Sequence, residues 1–500
     1  MSSTLTKLSG HLLAAVAGAL VTLSLAPFGY WPLGIISCAA LAYLLDDLSA
    51  AQAALRGWFY GFGMFAAGTS WVYVSIHTFG NAPAPLAAAL TLLFSMGLGL
   101  FLAIPLYAYG RFMPANRWAK TLGFAAFWGL AEWLRSWLLT GFPWLFLGYG
   151  HLESPLAGWA PVVGVMSISF IVALTGATLS DLIRHRQAHW PSLIITLCLW
   201  LAGPLLNTIN WTQPSSKGDI KVALVQANIP QKIKWDRDQY WPTLNLYREL
   251  SAPLWATSDI VIWPEAAIPD YYQTAKPFLD SQSVLASNHN STLITGLPTT
   301  QLDESGQRQF FNSMIALGAG EGLYHKQQLV PFGEYVPLEH WLRGLIDFFD
   351  LPMSAFTAGE RNQPLLKAGD VLLSPSVCYE VVYADLVAST VPAADVLLTV
   401  SNDAWFGESI GPLQHMEMAQ MRALETGRYM IRATGNGISA IVDERGHILQ
   451  RSQQFKREVL TGTAQLREGA TPFALTGTLP FVLGCLALSI GLILQSRRRQ

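Results

Sequence analysis

The sequence predicts a membrane protein that joins two fold classes: a transmembrane bundle of eight α-helices and one soluble α/β domain. Of its 500 residues, 51% are hydrophobic and only 13% are charged, whereas ordinary soluble domains are about 25% charged. The apolar residues concentrate at the two ends of the chain, and the middle alternates short strands with helices, which is typical of an α/β domain. The predicted parts are a bundle of about seven helices (1–210), a soluble domain (217–468) and a final helix (473–495).

Eight apolar runs are long enough to cross a bilayer, which takes about 20 residues. They cover residues 10–27, 29–46, 57–77, 84–109, 121–141, 155–181, 190–207 and 473–495. The first run has the look of a signal peptide, but a second span follows it at once, so we expect a retained helix.

Basic residues alternate between the loops, and this pattern predicts orientation. They lie before the first span, in every second loop and at the C-terminus: Lys7, Arg56, Arg111, Arg117, Lys120, Arg184, Arg186, Arg497, Arg498 and Arg499. The intervening loops, around Phe28 and over 77–83 and 142–154, contain no Lys or Arg. We therefore expect both termini in the cytoplasm and the soluble domain on the opposite side of the membrane.

Two charged residues, Glu132 and Arg135, fall inside the fifth predicted span. Intramembrane charges are costly and usually face a polar interior. Their (i, i+3) spacing allows them to pair on one helix face. Two interpretations stay open: a structural pair near the helix end, or one wall of a cavity for a lipid headgroup or substrate.

The soluble domain begins with a change to short β-branched segments. Strands are predicted at Ile220–Gln226, Asp259–Trp263, Ser291–Leu297, Asn312–Leu317, Val371–Cys378 and Asp395–Val400, with helices at Tyr240–Ala256 and Gly411–Ala433. The second helix carries Met416, Met418, Met421 and Leu424 at helical spacing. We interpret this methionine stripe as core, because methionine commonly fills irregular gaps in hydrophobic cores.

Composition excludes several functional classes. A net charge of −2 gives no reason to expect a nucleic-acid partner. The four cysteines lack paired spacing, and the chain contains neither CxxC nor HExxH, so we expect no disulfide framework, metal site or cofactor. Cys378 is the one cysteine outside the long apolar runs.

Three segments of the soluble domain carry candidate catalytic groups: IWPE ending at Glu265, the segment around Lys326, and SPSVCYE around Cys378. A thiol needs a general base, and Glu265 can serve if an apolar site raises its pKa. The tetrahedral intermediate needs a preorganised donor, which Lys326 can supply with the backbone N–H of Tyr379. Each residue alone has an ordinary structural interpretation. Together they predict acyl transfer through a thioester.

The flanking segments resemble a known family. The Glu–Lys–Cys order resembles the nitrilase superfamily, and LVPFGEYVP (329–337) and VSNDAWFG (400–407) look like signatures of its membrane-embedded branch, the apolipoprotein N-acyltransferases. The resemblance implies an α-β-β-α sandwich on eight spans in a bacterial inner membrane, with the catalytic domain in the periplasm. It also implies that Glu265 is the base, Lys326 the oxyanion stabiliser and Cys378 the nucleophile. Further positions that match important family residues are Trp235, Asn312, Glu334, Tyr379 and Glu380.

The resemblance further implies the partners: a phospholipid acyl donor and a lipoprotein acceptor whose N-terminal cysteine bears a diacylglyceryl group. Such an enzyme would load the acyl chain on the thiol and pass it to the α-amine of that cysteine. We expect a monomer, because the membrane tether blocks surfaces through which soluble nitrilases associate.

The segment 341–352 is a candidate lid, because charges interrupt an otherwise apolar run that could dip into the membrane surface. Its candidate substrate contacts are Leu345, Phe348 and Phe349, and a core helix is the alternative. Trp235 is interpreted either as a membrane-edge aromatic or as a packed side chain. His325 and His415 are not expected to be catalytic, because Glu265 and Lys326 already supply both roles.

Two other functions compete with acyl transfer. A membrane-tethered nitrilase-type amidase would use the same triad and release the acyl group to water. A transporter with an appended binding domain is a different class, but the spans carry few charges and no evident repeat, and it leaves the triad unexplained.

Overall fold

The computed structural model describes residues 2–335 and 355–497. Its N-terminal region is helical, as expected for long apolar runs without strand-like alternation. The long helices before the first strand are α1 (Ser2–Ser24), α2 (Pro32–Leu45), α3 (Ala50–Gly68), α4 (Ala84–Phe112), α5 (Arg117–Trp137), α6 (Val165–His185) and α7 (Trp190–Asn207).

Two β-sheets follow. The strands are β1 (Thr212–Gln226), β2 (Ile260–Ile262), β3 (Thr292–Leu302), β4 (Arg308–Gly318), β5 (Gly320–Glu321), β6 (Leu323–His325), β7 (Leu366–Ala368), β8 (Val371–Val377), β9 (Val396–Ser401), β10 (Met430–Thr434), β11 (Ala440–Val442), β12 (Ile448–Arg451) and β13 (Glu458–Gly469). The later helices are α8 (Tyr240–Ser251), α9 (Tyr272–Ser287), α10 (Ala384–Thr390), α11 (Gly411–Thr426) and α12 (Leu479–Arg497). The described strands form sheets in the orders β13-β1-β2-β3-β4-β6 and β12-β11-β10-β9-β8-β7-β5.

The two sheets pack face to face. Successive side chains of a strand point to opposite faces, so one set contacts the other sheet and the next set contacts a helix layer. Val222 of the first sheet and Leu398 of the second belong to one buried cluster between them. Ala223, the neighbour of Val222, packs instead in a cluster with helix α8. Helices α10 and α11 cover the outer face of the second sheet. The layers are therefore helix, sheet, sheet and helix, as the resemblance implies.

Each of the eight predicted spans corresponds to a helix, but the helices differ in apolar length. By length and composition, α4, α6 and α7 are the described helices long and apolar enough to cross a membrane. Helices α1, α2 and α12 contain shorter apolar stretches, namely Leu8–Ser24, Pro32–Leu45 and Leu479–Gln495. Helices α3 and α5 fall outside both groups: α3 carries Arg56 and Gln52 in its first half, and α5 carries charges at both ends. The count of eight spans stays a prediction.

Four predicted spans have wrong boundaries. Helix α3 covers Ala50–Gly68 rather than 57–77, and α12 begins at Leu479 rather than 473, because Gly477 with φ +60° separates it from a short helix at Pro472–Thr476.

The boundaries of the fifth and sixth predicted spans are also wrong. Helix α5 ends at Trp137 rather than 141, and Leu139, Thr140 and Gly141 all adopt positive φ. Helix α6 begins at Val165 rather than 155, after Gly164 with φ +80°. A Cβ at Gly164 would lie 2.4 Å from the Phe473 ring, so glycine is required. The segment between α5 and α6 is apolar because much of it is buried, and it does not form one continuous helix.

Glu132 and Arg135 hold this inter-helix segment. Glu132 Oε1 accepts hydrogen bonds from the Leu147 backbone N–H at 3.1 Å and from Trp128 Nε1 at 3.0 Å. Arg135 donates to the Trp144 carbonyl. Both charged side chains are buried. Each charge has loop backbone as a partner, and the described contacts include no ion pair between the two side chains, so the predicted pairing is not observed. A role in lining a substrate cavity stays a prediction.

Most predicted elements of the soluble domain are confirmed, and two helix boundaries are wrong. The predicted helix Tyr240–Ala256 ends at Ser251, where a series of turns begins. The predicted helix Gly411–Ala433 ends at Thr426, because Gly427 adopts φ +64° and caps it. The residues that follow form strand β10 beside β9. The methionine stripe is core, as predicted, since Met416, Met418, Met421 and Leu424 are all buried.

Helix α11 connects the soluble domain to the helical region. Gln414 Oε1 accepts from Trp144 Nε1 at 2.7 Å, Glu417 Oε1 from the Ala26 N–H at 3.0 Å, and Glu425 Oε1 from the Val165 N–H at 2.7 Å. Three polar side chains on one helix thus bind the α1–α2 loop, the segment between α5 and α6, and the first residue of α6. These bonds fix the sheets, and the site at their edge, relative to the membrane helices.

Substitution of Glu417 by glutamine is expected to flatten the pH dependence of thermal stability. Burial raises the pKa of Glu417 to about 8, with the Ala26 N–H opposing. The unfolded chain releases this proton near pH 4.3, so the folded protein holds an extra proton between these values. Stability therefore falls as pH rises through this window, by at most about 1.4 kcal/mol per pH unit for one group.

Thermal unfolding of the detergent-solubilised protein at pH 5, 7 and 9 measures this effect. The exposed Glu304 provides the control, since Glu304→Gln should leave the wild-type slope unchanged. A Glu417→Gln variant with the full wild-type slope would contradict the prediction.

Candidate active site

The candidate residues meet at one edge of the two sheets. Glu265 lies just after β2, Lys326 directly after β6, and Cys378 directly after β8, while Asn312 lies within β4. Strands β2 and β8 each belong to a parallel part of their sheet, where carboxyl ends of neighbouring strands come together. Segments far apart in sequence therefore converge at this edge.

Glu265 is held by two donors. Its Oε1 accepts from Asn312 Nδ2 at 2.8 Å and its Oε2 from the Asn402 backbone N–H at 2.7 Å. A Cβ at Gly296 would lie 2.7 Å from the Glu265 Cα, so β3 can approach only because glycine lies there. The carboxylate is buried and fixed in direction, as a positioned proton acceptor requires.

Lys326 lies between two carboxylates. Its Nζ is 2.8 Å from Glu334 Oε2 and 3.9 Å from Glu265 Oε1, and the residue is 1% exposed. Burial lowers the pKa of Lys326, but Glu334 and Glu265 outweigh burial and leave the pKa above its ordinary value. Asn312 Nδ2 also donates to Glu334 Oε1 at 2.8 Å and so bridges both carboxylates. The lysine is a fixed, fully charged donor.

Cys378 is partly exposed and adopts φ +53°, a left-handed conformation that is strained for a residue with a Cβ. Burial, followed by the Glu265 carboxylate, raises the pKa of the thiol well above its usual range, while Lys326 opposes this. The thiol therefore stays protonated until a base removes its proton. The left-handed turn ends β8 and starts a short 3₁₀ helix, Cys378–Val382.

Tyr379 and Glu380 extend from Cys378 in two directions. The Tyr379 hydroxyl donates to the Gly141 carbonyl of the helical region at 3.2 Å. Glu380 is fully buried and accepts from the Val377 N–H at 2.7 Å and the Gln327 N–H at 2.6 Å. Glu380 therefore connects the turn at Cys378 to the segment that follows Lys326, and Tyr379 connects it to the helical region.

The exposed fraction of Trp235 is 37%. This value does not decide between a membrane-edge aromatic and a packed side chain. Its neighbour Lys234 is buried and donates to the Glu265 carbonyl at 3.4 Å. The lid candidates Leu345, Phe348 and Phe349 lie outside the described residues.

Sequence reasoning missed several buried polar groups around this site. Asn402 and Asp403 are in the VSNDAWFG segment, whose residues indicate a family resemblance but no contact with the candidate site. His415 Nε2 lies 3.2 Å from the Cys378 carbonyl oxygen, whereas His325 Nδ1 contacts Ser313 Oγ at 2.8 Å. The spacing of these residues along the chain carries no signal of their proximity.

The site contains a thiol, a fixed carboxylate and a charged amine at the largely buried edge of the two sheets. This set can form and break a thioester, because it offers a nucleophile, a proton acceptor and an oxyanion donor. Together with the two-sheet fold, it defines a carbon-nitrogen hydrolase domain joined to a helical membrane region.

Comparisons with known proteins match both parts of the chain. The model for the apolipoprotein N-acyltransferase N-terminal domain matches residues 17–178, and the carbon-nitrogen hydrolase model matches residues 221–471. The chain belongs to the apolipoprotein N-acyltransferase family, which makes it an acyltransferase of the nitrilase superfamily.

Three relatives named apolipoprotein N-acyltransferase illustrate the extent of the match. One from Pseudomonas aeruginosa (strain PAO1) is 48% identical over 469 residues, covering 93% of this chain and 91% of that one. Another from Azotobacter vinelandii is 45% identical over 496 residues, with coverages of 98% and 96%. One from Vibrio cholerae is 41% identical over 504 residues, with coverages of 99% and 98%.

Proposed function

We propose that this enzyme moves a fatty acyl chain from a phospholipid to the α-amine of an N-terminal S-diacylglyceryl-cysteine, through a thioester on Cys378. The observation that carries the proposal is the continuous chain of contacts Glu334–Lys326–Glu265 beside that thiol. The same domain rests on apolar helices, where both lipid substrates would arrive laterally. Donor and acceptor then use one site in turn, which suits a covalent intermediate.

In the first half-reaction, Glu265 takes the thiol proton as Cys378 sulfur attacks the ester carbonyl carbon. The carbonyl oxygen becomes an oxyanion that receives hydrogen bonds from the Lys326 ammonium and the Tyr379 N–H. Collapse of this intermediate breaks the bond to the glycerol oxygen, which leaves with the proton from Glu265. The products are the thioester and a lysophospholipid.

In the second half-reaction, the acceptor amine attacks the thioester carbonyl. Glu265 takes a proton from the attacking nitrogen, and the same two donors stabilise the second oxyanion. Collapse breaks the carbon–sulfur bond, and the sulfur recovers its proton from Glu265. The products are the amide and the free thiol, so the enzyme returns to its starting state.

The supporting residues receive positioning roles in this scheme. Asn312 and Glu334 hold Glu265 and Lys326 apart at a fixed distance, and Glu380 fixes the turn that bears Cys378. Trp235 and the segment 341–352 are assigned to substrate contact and closure, because the thioester must survive without water until the acceptor arrives.

For the membrane arrangement, we favour eight spans in a bacterial inner membrane with both termini cytoplasmic, a periplasmic catalytic domain, and a monomer. Lys120 and Arg184 both pair with Asp46, and Arg117 pairs with Asp181, so three predicted cytoplasmic loops meet at one end of the bundle. The loops that contact α11 are the predicted periplasmic ones. We place the helical bundle before residue 210, the catalytic domain between about 217 and 468, and the final helix from about 473.

The test uses intact-protein mass spectrometry of the wild-type enzyme in detergent, incubated with phospholipid. A mass gain of one acyl chain, removed by neutral hydroxylamine, is expected. Addition of a diacylglyceryl-cysteine peptide should then discharge the adduct into a hydroxylamine-resistant amide on the peptide. If only water discharges the thioester, the amidase function is correct instead. If no adduct forms, the proposed function is wrong.

A further inference from the structure

A buried ionic cluster lies behind the nucleophile, made of Asp403, His415 and Arg432, and the mechanism above does not use it. All three side chains are at most 1% exposed. Arg432 Nη2 donates to Asp403 Oδ2 at 2.8 Å and lies 3.0 Å from His415 Nδ1. His415 Nδ1 is also 3.0 Å from Asp403 Oδ1. Burying three ionisable groups is costly unless their geometry is satisfied, so the cluster calls for an explanation.

The other ring nitrogen of His415 faces the nucleophile residue. Nε2 lies 3.2 Å from the backbone carbonyl oxygen of Cys378. A carbonyl oxygen can only accept, so this contact requires a proton on Nε2. The histidine therefore acts on the backbone of Cys378 and not on its thiol.

The two partners of Nδ1 preserve this Nε2–H in either charge state of the ring. When the ring is neutral, Nδ1 accepts from the Arg432 guanidinium. When the ring is charged, Nδ1–H donates to the Asp403 carboxylate. Both arrangements leave the proton on Nε2, whereas a lone acceptor at Nδ1 would favour the opposite tautomer in the neutral ring.

The Cys378 carbonyl shares one rigid unit with the N–H of Tyr379. A trans peptide is planar, and its C=O and N–H point in opposite directions. A donor that holds the carbonyl therefore also fixes the direction of the N–H. Cys378 needs this support, because its φ of +53° is disfavoured for a residue with a Cβ.

We infer that His415, clamped by Asp403 and Arg432, is a positioning residue of the oxyanion site: by holding the Cys378 carbonyl, it aims the Tyr379 N–H at the developing oxyanion. The inference rests on the proposed function, in which that N–H is one of two oxyanion donors. His415 itself touches neither substrate nor the reacting sulfur in this role.

A matched pair of substitutions tests this role in the full-length enzyme in detergent. His415→Gln places an amide N–H near the original Nε2, whereas in His415→Asn the amide falls short of the carbonyl. The Asn variant is expected to lose about 10²-fold in kcat, the effect of losing one oxyanion donor. The Gln variant should stay within about fivefold of wild type. Gln420→Ala, on the same helix, removes a bond to the Gly446 carbonyl and is the control for packing damage.

Alkylation of Cys378 by iodoacetamide separates positioning of the oxyanion donor from general damage. This reaction displaces iodide at a saturated carbon and forms no oxyanion, so its rate should be the same in both variants and wild type. Equal kcat losses in the Asn and Gln variants would overturn the inference, as would alkylation that falls in parallel with acyl transfer. Full activity of the Asn variant would also overturn it.

Failure of the proposed function has a separate signature. Wild-type enzyme would then form no acyl adduct with phospholipid at all, and this inference would fall with it.

Discussion

Replacement of Cys378 by alanine is expected to abolish the acyl adduct and to reduce acyl transfer by about 10⁴-fold or more. Removal of a catalytic nucleophile eliminates the covalent route and leaves only binding and the oxyanion donors. The buried Lys326–Glu334 pair does not involve the thiol, so the variant should still fold. Mass spectrometry after incubation with phospholipid measures the adduct, and a peptide-acylation assay measures turnover.

The chain supplies its own control for this experiment. Cys198 is an exposed free thiol on helix α7, and Cys198→Ala should retain both the adduct and full activity. A Cys378→Ala variant that still gains an acyl mass would place the acyl group on another residue and contradict the thioester mechanism.

Lys326→Met is expected to lower kcat by about 10²–10³-fold, because it removes a charged donor from the oxyanion. It is also expected to destabilise the protein by about 3–5 kcal/mol, because it leaves buried carboxylates without their cation. Glu334 Oε2 and Glu265 Oε1 lie 2.8 and 3.9 Å from the ammonium. Activity and unfolding temperature must therefore be measured on the same preparation.

A double substitution separates the two effects of Lys326. In Lys326→Met with Glu334→Gln, one lost positive charge is matched by one lost negative charge, so much of the stability should return. Acyl transfer should stay as low as in the single variant, since no donor is restored. Recovery of activity in the double variant would mean that Lys326 has a structural role alone.

The sequence alone was enough to select Glu265, Lys326 and Cys378 as candidate catalytic residues. Each follows a short apolar strand, and acyl transfer through a thiol needs these residue types, so the candidate set could be chosen before any fold was known. Their convergence is a tertiary fact. It depends on the order of parallel strands and on Gly296, where any Cβ would collide with the backbone of Glu265.

The contacts that fix these groups were out of reach of the sequence. Asn312 bridges two carboxylates, and His415 reaches the carbonyl of Cys378 from a helix 37 residues further along the chain. Such contacts join residues that are far apart in the sequence at no regular spacing, so the sequence does not predict them. The resemblance marked Asn312 as important but gave no partner for it.

Helix boundaries were predicted wrongly where buried residues outside the helix continued its apolar pattern. The apolar run 155–181 looked like one span, yet the long helix begins only at Val165, because Gly164 with its positive φ separates it from the short helical turns over 157–163. The helix from Gly411 stopped at Thr426 for a similar reason at Gly427. In both places the positive φ of one glycine set the helix boundary, and the hydrophobicity of the sequence does not predict that conformation.

The sequence by itself determined the two-part architecture, the family and the chemical identity of the reacting groups. These follow from composition, residue type and order along the chain, which are local properties. The tertiary structure alone decided how charge is distributed around Cys378, which helix docks the domain on the membrane helices, and that the buried His415 contacts the backbone carbonyl of Cys378. Those properties depend on distances of a few ångströms between remote segments, and only packing sets such distances.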